Sequence, residues 1–187
     1  MIYLDYCLCG EDAASQRSAA RKLRADLLYN AFGIENAKDR IRTAKGGKPY
    51  IEGEDVDFSD SHTEFAAAVS ACGNGTKNCG LVISDIKAKK TGVDIECENR
   101  NIKPSAMALI SKKLFSEKEK EYLALGTPGD KSRFLSVWIK KESIIKATGE
   151  GLSGIHKADT YSFDGVFLDT RRVIIDGRSY VISVAAI

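Results

Sequence analysis

Asp94 and Glu96 pose the first chemical question in this sequence. They lie in "TGVDIECENR" (91–100), where Val93, Ile95 and Cys97 are apolar at alternate positions. That period reads as a short half-buried strand, so both carboxylates project from its other face. Two like charges there destabilise each other. A third acid and a cation come from "FLSVWIKKESIIKATGEGL". On a helical wheel Trp138, Glu142 and Lys146 form a stripe beside Phe134, Val137 and Ile145. A helix crossing the strand would bring Asp94, Glu96 and Glu142 together, an unfavourable cluster unless a cation sits among them. Oxygen-only ligands point to Mg²⁺ or Mn²⁺, and Mg²⁺ commonly shares its shell with water and a phosphate. The plain alternatives are an exposed sheet face for Asp94 and Glu96, and for Glu142–Lys146 a surface ion pair worth about 0.3–0.5 kcal/mol.

The elements that must hold these residues follow from periodicity and punctuation. "MIYLDYCL" reads as a strand, and residues 15–33 as a helix with Ala19, Leu23, Leu27 and Ala31 four apart and Gly33 as its stop. "AKGGKPYIEGED" is a glycine-rich loop leading into "VDFSDSHTEFAAAVSAC". Asn74-Gly75 predicts a hairpin turn into "CGLVISDI". "KAKK" (87–90) reads as a connector. After the 91–97 strand, helical segments start near Pro104, at "LFSEKEKEYLAL" and again after Asp130, which can cap a helix that Gly149 ends. "YSFDGVFL" and "RRVIIDGRSYVISVAA" close the chain as strands, with Asp176-Gly177 as a hairpin turn. Each half offers a long helix with strands. The expected class is α+β, in two lobes divided near residue 88 (1–88 and 89–187).

Composition narrows the function classes. The chain has 187 residues, 43% hydrophobic and 29% charged, with 28 basic against 26 acidic side chains. That balance does not announce a nucleic-acid binder. No apolar run approaches transmembrane length and no signal-peptide pattern opens the chain, so a cytoplasmic protein without membrane attachment is expected. The five cysteines lack zinc-ligand spacing and read as reduced, small buried hydrophobes.

Three segments, "GVDIE" (92–96), "LFSEKE" (114–119) and "WIKKESIIKATGEGL" (138–152), resemble in order and spacing the 4′-phosphopantetheinyl transferase superfamily. The likeness covers most of residues 92–155. It implies that Asp94, Glu96 and Glu142 hold Mg²⁺ (or Mn²⁺) against the pyrophosphate of coenzyme A, that Lys146 contacts phosphates, and that Glu119 is the base for a carrier serine. Glu119 has a second reading, because Ser116-Glu117-Lys118-Glu119 is a capping box that starts a helix unaided. In the first half, "DFSDSH" (57–62) is similar to a family segment whose serine and histidine contact coenzyme A phosphates, which implies Ser61 and His62. A hydrogen-bonded structural histidine is the plain alternative. "GGKPY" (46–50) is similar to a segment in which Lys48 offers charge and Pro49 belongs to the adenine wall, with an ordinary turn as its alternative. "QRSAARKLRADLL" resembles a helix whose Arg-Ser pair, here Arg17 and Ser18, faces the 3′-phosphate. Arg21, Lys22 and Arg24 read instead as a solvated face. "GLVISDIKAKK" looks inserted relative to the family, and a basic segment ahead of the first helix has no counterpart, which makes Lys45 a candidate replacement.

The length implies the longer, surfactin-synthetase-activating type of that superfamily: a monomer of two similar lobes, each a small antiparallel sheet packed on a long helix, related by a pseudo-twofold axis. The implied reaction moves 4′-phosphopantetheine from coenzyme A to a serine of an acyl, peptidyl or aryl carrier protein, in fatty acid, polyketide or nonribosomal peptide biosynthesis, and releases adenosine 3′,5′-bisphosphate. The carrier would dock near "GEGLSGIHKADT" (149–160) and the residues after Lys112. Two alternatives stand beside it: a Mg²⁺-dependent nucleotide pyrophosphate hydrolase, and a catalytically reduced homologue that binds coenzyme A or carrier without transfer.

Overall fold

The computed structural model describes residues 1–75, 81–162 and 164–187. It is an α+β protein with small antiparallel sheets. Strand β1 (Ile2–Leu8) leads to helix α1 (Ala13–Phe32), which starts where the Asp12 side chain accepts from the amides of Ala14 and Ser15 and stops at Gly33 in the left-handed conformation. A short helix α2 (Ala37–Arg40) precedes the small ribbon of β2 (Ile41–Thr43) and β3 (Pro49–Ile51). Strands β4 (Val56–Thr63), β5 (Ala66–Gly73) and β6 (Leu81–Ser84) join β1 in a sheet ordered β4-β5-β1-β6.

The hairpin expected at Asn74-Gly75 does not form between neighbouring strands. Strand β1 already occupies the inner edge of β5, so β6 pairs with β1. The connecting residues 76–80 lie outside the described residues, as does Phe163 in the expected "YSFDGVFL" strand.

The second sheet is ordered β7-β9-β8, from β7 (Thr91–Cys97), β8 (Phe167–Ile175) and β9 (Arg178–Ala186). Asp176 and Gly177 both have positive φ, the geometry of a two-residue hairpin whose twist matches the flanking strands. Between β7 and β8 run α3 (Pro104–Leu114), α4 (Glu117–Ala124), α5 (Lys131–Thr148) and a single 3₁₀ turn at Leu152–Gly154. The side chain of Asp130 caps α5 and left-handed Gly149 ends it. None of the described helices is long and apolar enough to cross a membrane.

Two apolar cores matter here. One packs Leu23, Leu27 and Leu28 of α1 on Tyr3, Phe58 and Val69. The other joins the two sheets, with Ile2, Leu4 and Ala68 from the first against Val93, Ile95, Ile182 and Val184 from the second. Strand β7 is buried along its whole length rather than half-buried. Helix α5 covers its other face, so closely that a Cβ on Gly92 would stand 2.1 Å from the Ser143 carbonyl oxygen.

Strands β4 and β7 are the facing edges of the two sheets, and β4 side chains close the seam. Asp57 accepts from the Thr91 amide at 2.7 Å and Ser59 Oγ accepts from the Val93 amide at 3.2 Å. Edge amides that would otherwise lie buried and unpaired are thus satisfied.

Candidate active site

Alternation along β4 decides what faces where. Asp57, Ser59, Ser61 and Thr63 turn towards β7, while Asp60 and His62 share the other face with Phe58, towards α1. At the seam, Ser61 Oγ donates to Asp94 Oδ1 at 2.8 Å and Thr63 Oγ1 donates to Glu96 Oε2 at 3.2 Å. Asp94 and Glu96 are only 6% and 7% exposed, which removes the exposed-sheet alternative for both.

Helix α5 adds the rest. Lys146 Nζ lies 2.8 Å from Asp94 Oδ1 and donates to Ser61 Oγ at 2.9 Å. Arg100 Nη1 lies 2.5 Å from Glu96 Oε1. Glu142, one turn before Lys146, feels both acids: burial first, then the charge of Asp94, pushes its carboxyl up to about 7, with Lys146 opposing. Burial and then Asp94 also raise Glu96, against Arg100 and Thr63. Glu142 and Lys146 are therefore members of one acidic cluster in which the Lys146 ammonium pairs with Asp94, not an isolated surface ion pair.

Among the described residues no three His, Cys, Asp or Glu side chains are grouped closely enough to hold a metal ion as they stand. The donor chemistry nevertheless fits a divalent cation. Asp94 Oδ2 is buried without a hydrogen-bond partner, an orphan that is costly unless something binds it. Asp94, Glu96 and Glu142 are the all-oxygen set that would hold such an ion.

Two clefts meet at this cluster. The basic cleft, about 520 Å³, takes its charge from Arg17, Arg21 and Arg24 of α1 and is walled by Gly46, Gly47 and Pro49. The acidic cleft, about 500 Å³, contains Asp94, Glu96 and Arg100 beside an apolar wall of Ile102, Ile110, Phe134 and Trp138. Asp60, His62, Glu142 and Lys146 line both.

The other sequence candidates fall in several places. His62 is exposed at the junction, and Arg17 reaches the basic cleft. Ser18 lines a separate groove with Arg17, Arg21, Lys22 and Lys38, and Lys45 is exposed and is not part of the cleft lining. Ser61 is buried against Asp94 and Lys146. Lys48 borders the cleft with its ammonium turned to protein acceptors. Glu119 is wholly buried: it accepts from the amides of Ser116 at 2.8 Å and Thr160 at 2.9 Å, and from Lys141 at 2.9 Å. The capping box with Ser116 is formed.

Sequence reasoning assigned Arg21, Lys22 and Arg24 to a solvated face; Arg21 and Lys22 are exposed, but Arg21 and Arg24 also line the basic cleft. Arg24 is instead tucked between Asp60, 2.6 Å away, and the Phe58 ring. Their spacing from Arg17, four and seven residues, is one helix face and was the available signal.

Residues 90–183 match the 4′-phosphopantetheinyl transferase superfamily, and the chain belongs to that family. It is similar to a 4′-phosphopantetheinyl transferase of Bacillus subtilis, 29% identical over 74% of this chain. The aligned region spans 56% of that relative's length.

Proposed function

We propose that the protein transfers 4′-phosphopantetheine from coenzyme A to a carrier-protein serine. The observation that carries this reading is the meeting of a basic and an acidic cleft at Glu142, Lys146 and His62. One cleft suits a polyanionic nucleotide. The other presents a buried carboxylate set with an orphaned oxygen where the diphosphate would end.

In this reading Arg17, Arg21 and Arg24 bind the nucleotide phosphates, with Ser18 at the margin, and the 46–49 turn walls the adenine. Asp94, Glu96 and Glu142 would hold Mg²⁺, or Mn²⁺ in its place, which when bound offsets pyrophosphate charge and polarises the phosphorus. Lys146 and His62 stand where a leaving phosphate needs positive charge, and Ser61 orients Lys146. The carrier serine enters through the acidic cleft, and its oxygen attacks the β-phosphorus. The bond to the adenosine 3′,5′-bisphosphate oxygen breaks, and that product leaves through the basic cleft. Glu119 can take the serine proton only by leaving Lys141, so solvent water in the acidic cleft is the better-placed acceptor.

All these groups come from one chain, which supports a monomer of two lobes, 1–88 and 89–187. Each lobe has a sheet on a long helix, as a pseudo-twofold pair would. A cytoplasmic setting, where coenzyme A and apo carriers occur, follows from the same reaction.

The test is to incubate the protein with coenzyme A, Mg²⁺ and a panel of apo carrier proteins, then weigh the carriers. A gain of one phosphopantetheine group is expected. Free phosphopantetheine with unmodified carriers would indicate a hydrolase, and coenzyme A binding without reaction would indicate a binding-only homologue. Folded Asp94→Ala and Glu142→Ala proteins should label the carrier at least about 100-fold more slowly, since each removes charge stabilisation at the reacting phosphate.

A further inference from the structure

We propose that Lys48 is a positioning residue, buckling the wall of the basic cleft to the end of the helix that carries Lys146 without itself gripping a phosphate. An ammonium has three protons to donate. Lys48 Nζ lies 2.5 Å from Asp57 Oδ2, 3.0 Å from the Thr91 carbonyl oxygen and 3.2 Å from that of Ala147. All three protons are committed, and the side chain is only 15% exposed. Its charge is offset by the Asp57 carboxylate and by the negative end of α5.

The acceptors lie on either side of the reaction centre. Thr91 opens the strand that carries Asp94, and Ala147 directly follows Lys146. Asp57 also receives the Thr91 amide, so the turn before β3, the seam and the tip of α5 share one node.

A second contact, independent of Lys48, acts on the same turn. Residues 44–48 form a tight loop in which Ala44 and Lys48 pair through their backbones. Gly46 rests directly on the end of α5, and a Cβ there would lie 2.4 Å from the Gly149 carbonyl oxygen. Only glycine permits this approach. Gly46, Gly47 and Pro49 line the cleft, so both contacts set how far that wall stands from Lys146. A wall fixed before the ligand arrives lowers the ordering cost of binding.

The inference rests on the transferase reading for what the cleft holds, so the test uses coenzyme A as probe. Wild type, Lys48→Met, Gly46→Ala and the double variant Lys48→Met/Asp57→Asn are compared by calorimetric titration, urea unfolding and amide exchange of the ligand-free proteins. Steady-state kinetics follow with a carrier that wild type labels. Dissociation constants should rise about tenfold in every variant, the loss of preorganisation. KM for coenzyme A should rise with them, while KM for the carrier stays put. The double variant should unfold at the wild-type urea midpoint yet still bind weakly, which a merely structural lysine would not produce. Exchange should quicken at residues 44–48 and in the last turn of α5. If Gly46→Ala binds as wild type while Lys48→Met does not, Lys48 is a direct phosphate ligand and the proposal is wrong. Wild-type affinity in both variants overturns it equally. Wild type that takes up no coenzyme A removes the transferase reading, and the affinity claim with it. The exchange data then report the buckle on their own.

Discussion

The pair Glu119–Lys141 offers the sharpest quantitative test of the frame that holds α5. Both side chains are 0% exposed. Lys141 donates to both Glu119 oxygens and to the Ala158 carbonyl, 2.6 Å away, while Glu119 also receives the amides of Ser116 and Thr160. Four segments therefore meet at one ion pair: the α3–α4 junction, α4, α5 and the chain after the 3₁₀ turn. Removing one partner leaves the other charge buried, a loss of roughly 3–5 kcal/mol. Removing both charges spares that penalty, so the double variant should cost several kcal/mol less than the two singles combined. We expect Glu119→Gln and Lys141→Met each to lower the urea midpoint at constant m, and the double variant to recover a coupling energy of at least about 2 kcal/mol. Additive losses, with coupling under about 0.5 kcal/mol, would refute the structural argument. Activity separates the two roles of Glu119. If its work is to hold α5, the folded double variant labels carrier within about tenfold of wild type. If it is the base, that variant stays folded but slows by about 10²–10⁴-fold, the usual contribution of a positioned general base.

With a chelator present, Glu142→Gln should stabilise the protein at pH 8 and do nothing at pH 4. The wild-type carboxyl is raised from its ordinary 4.5 to about 7 by burial and by Asp94 and Glu96, against Lys146. The associated stability is present below 4.5 and lost as pH rises through about 7, with a ceiling near 3 kcal/mol that solvent screening lowers. Urea unfolding across pH checks it, and a flat difference between the proteins counts against the cluster. Gly92→Ala should cost about 1–3 kcal/mol, because a new methyl must push α5 off β7, and should slow transfer as Lys146 shifts. A normal unfolding curve for that variant would contradict the close packing. Cys72, buried and pushed up to about 12, should resist iodoacetamide at pH 8 in the native protein and react once urea unfolds it, as followed by mass spectrometry.

Local rules made much of the fold legible. Gly33 ends α1, Asp130 and Gly149 bound α5, and Asp176-Gly177 makes its hairpin, because caps and turns depend on neighbours in the chain, although the start of α1 at Asp12 lies ahead of the expected residue 15. The alternation in 91–97 put Asp94 and Glu96 on one face, and the α5 stripe put Glu142 and Lys146 beside them. What failed was non-local. No pattern in "CGLVISDI" says that its strand joins β1 in preference to β5, since that depends on which edge remains free. Lys48 reads as a charge facing a ligand until Asp57 and Ala147 are seen around it. Lys141 carried a missed signal: it lies four residues from both Val137 and Ile145, on the apolar face of α5, where a lysine needs a buried partner.

The seam explains why so many polar groups gather in one place without weakening the protein. Two sheet edges that joined through a backbone ladder would leave no room for side chains between them. Here β4 meets β7 through alternate side chains: Asp57 and Ser59 satisfy edge amides, and Ser61 and Thr63 reach Asp94 and Glu96. The same short residues that close the junction thereby hold two carboxylates at its rim, each in contact with a cation that can be exchanged, Lys146 or Arg100. Burial raises the energy of that cluster, and the apolar core beneath it, shared by both sheets, supplies the stability that tolerates the strain. The site is therefore a property of the junction between the sheets, and substitutions that loosen the junction should disturb the carboxylate cluster before they unfold either sheet.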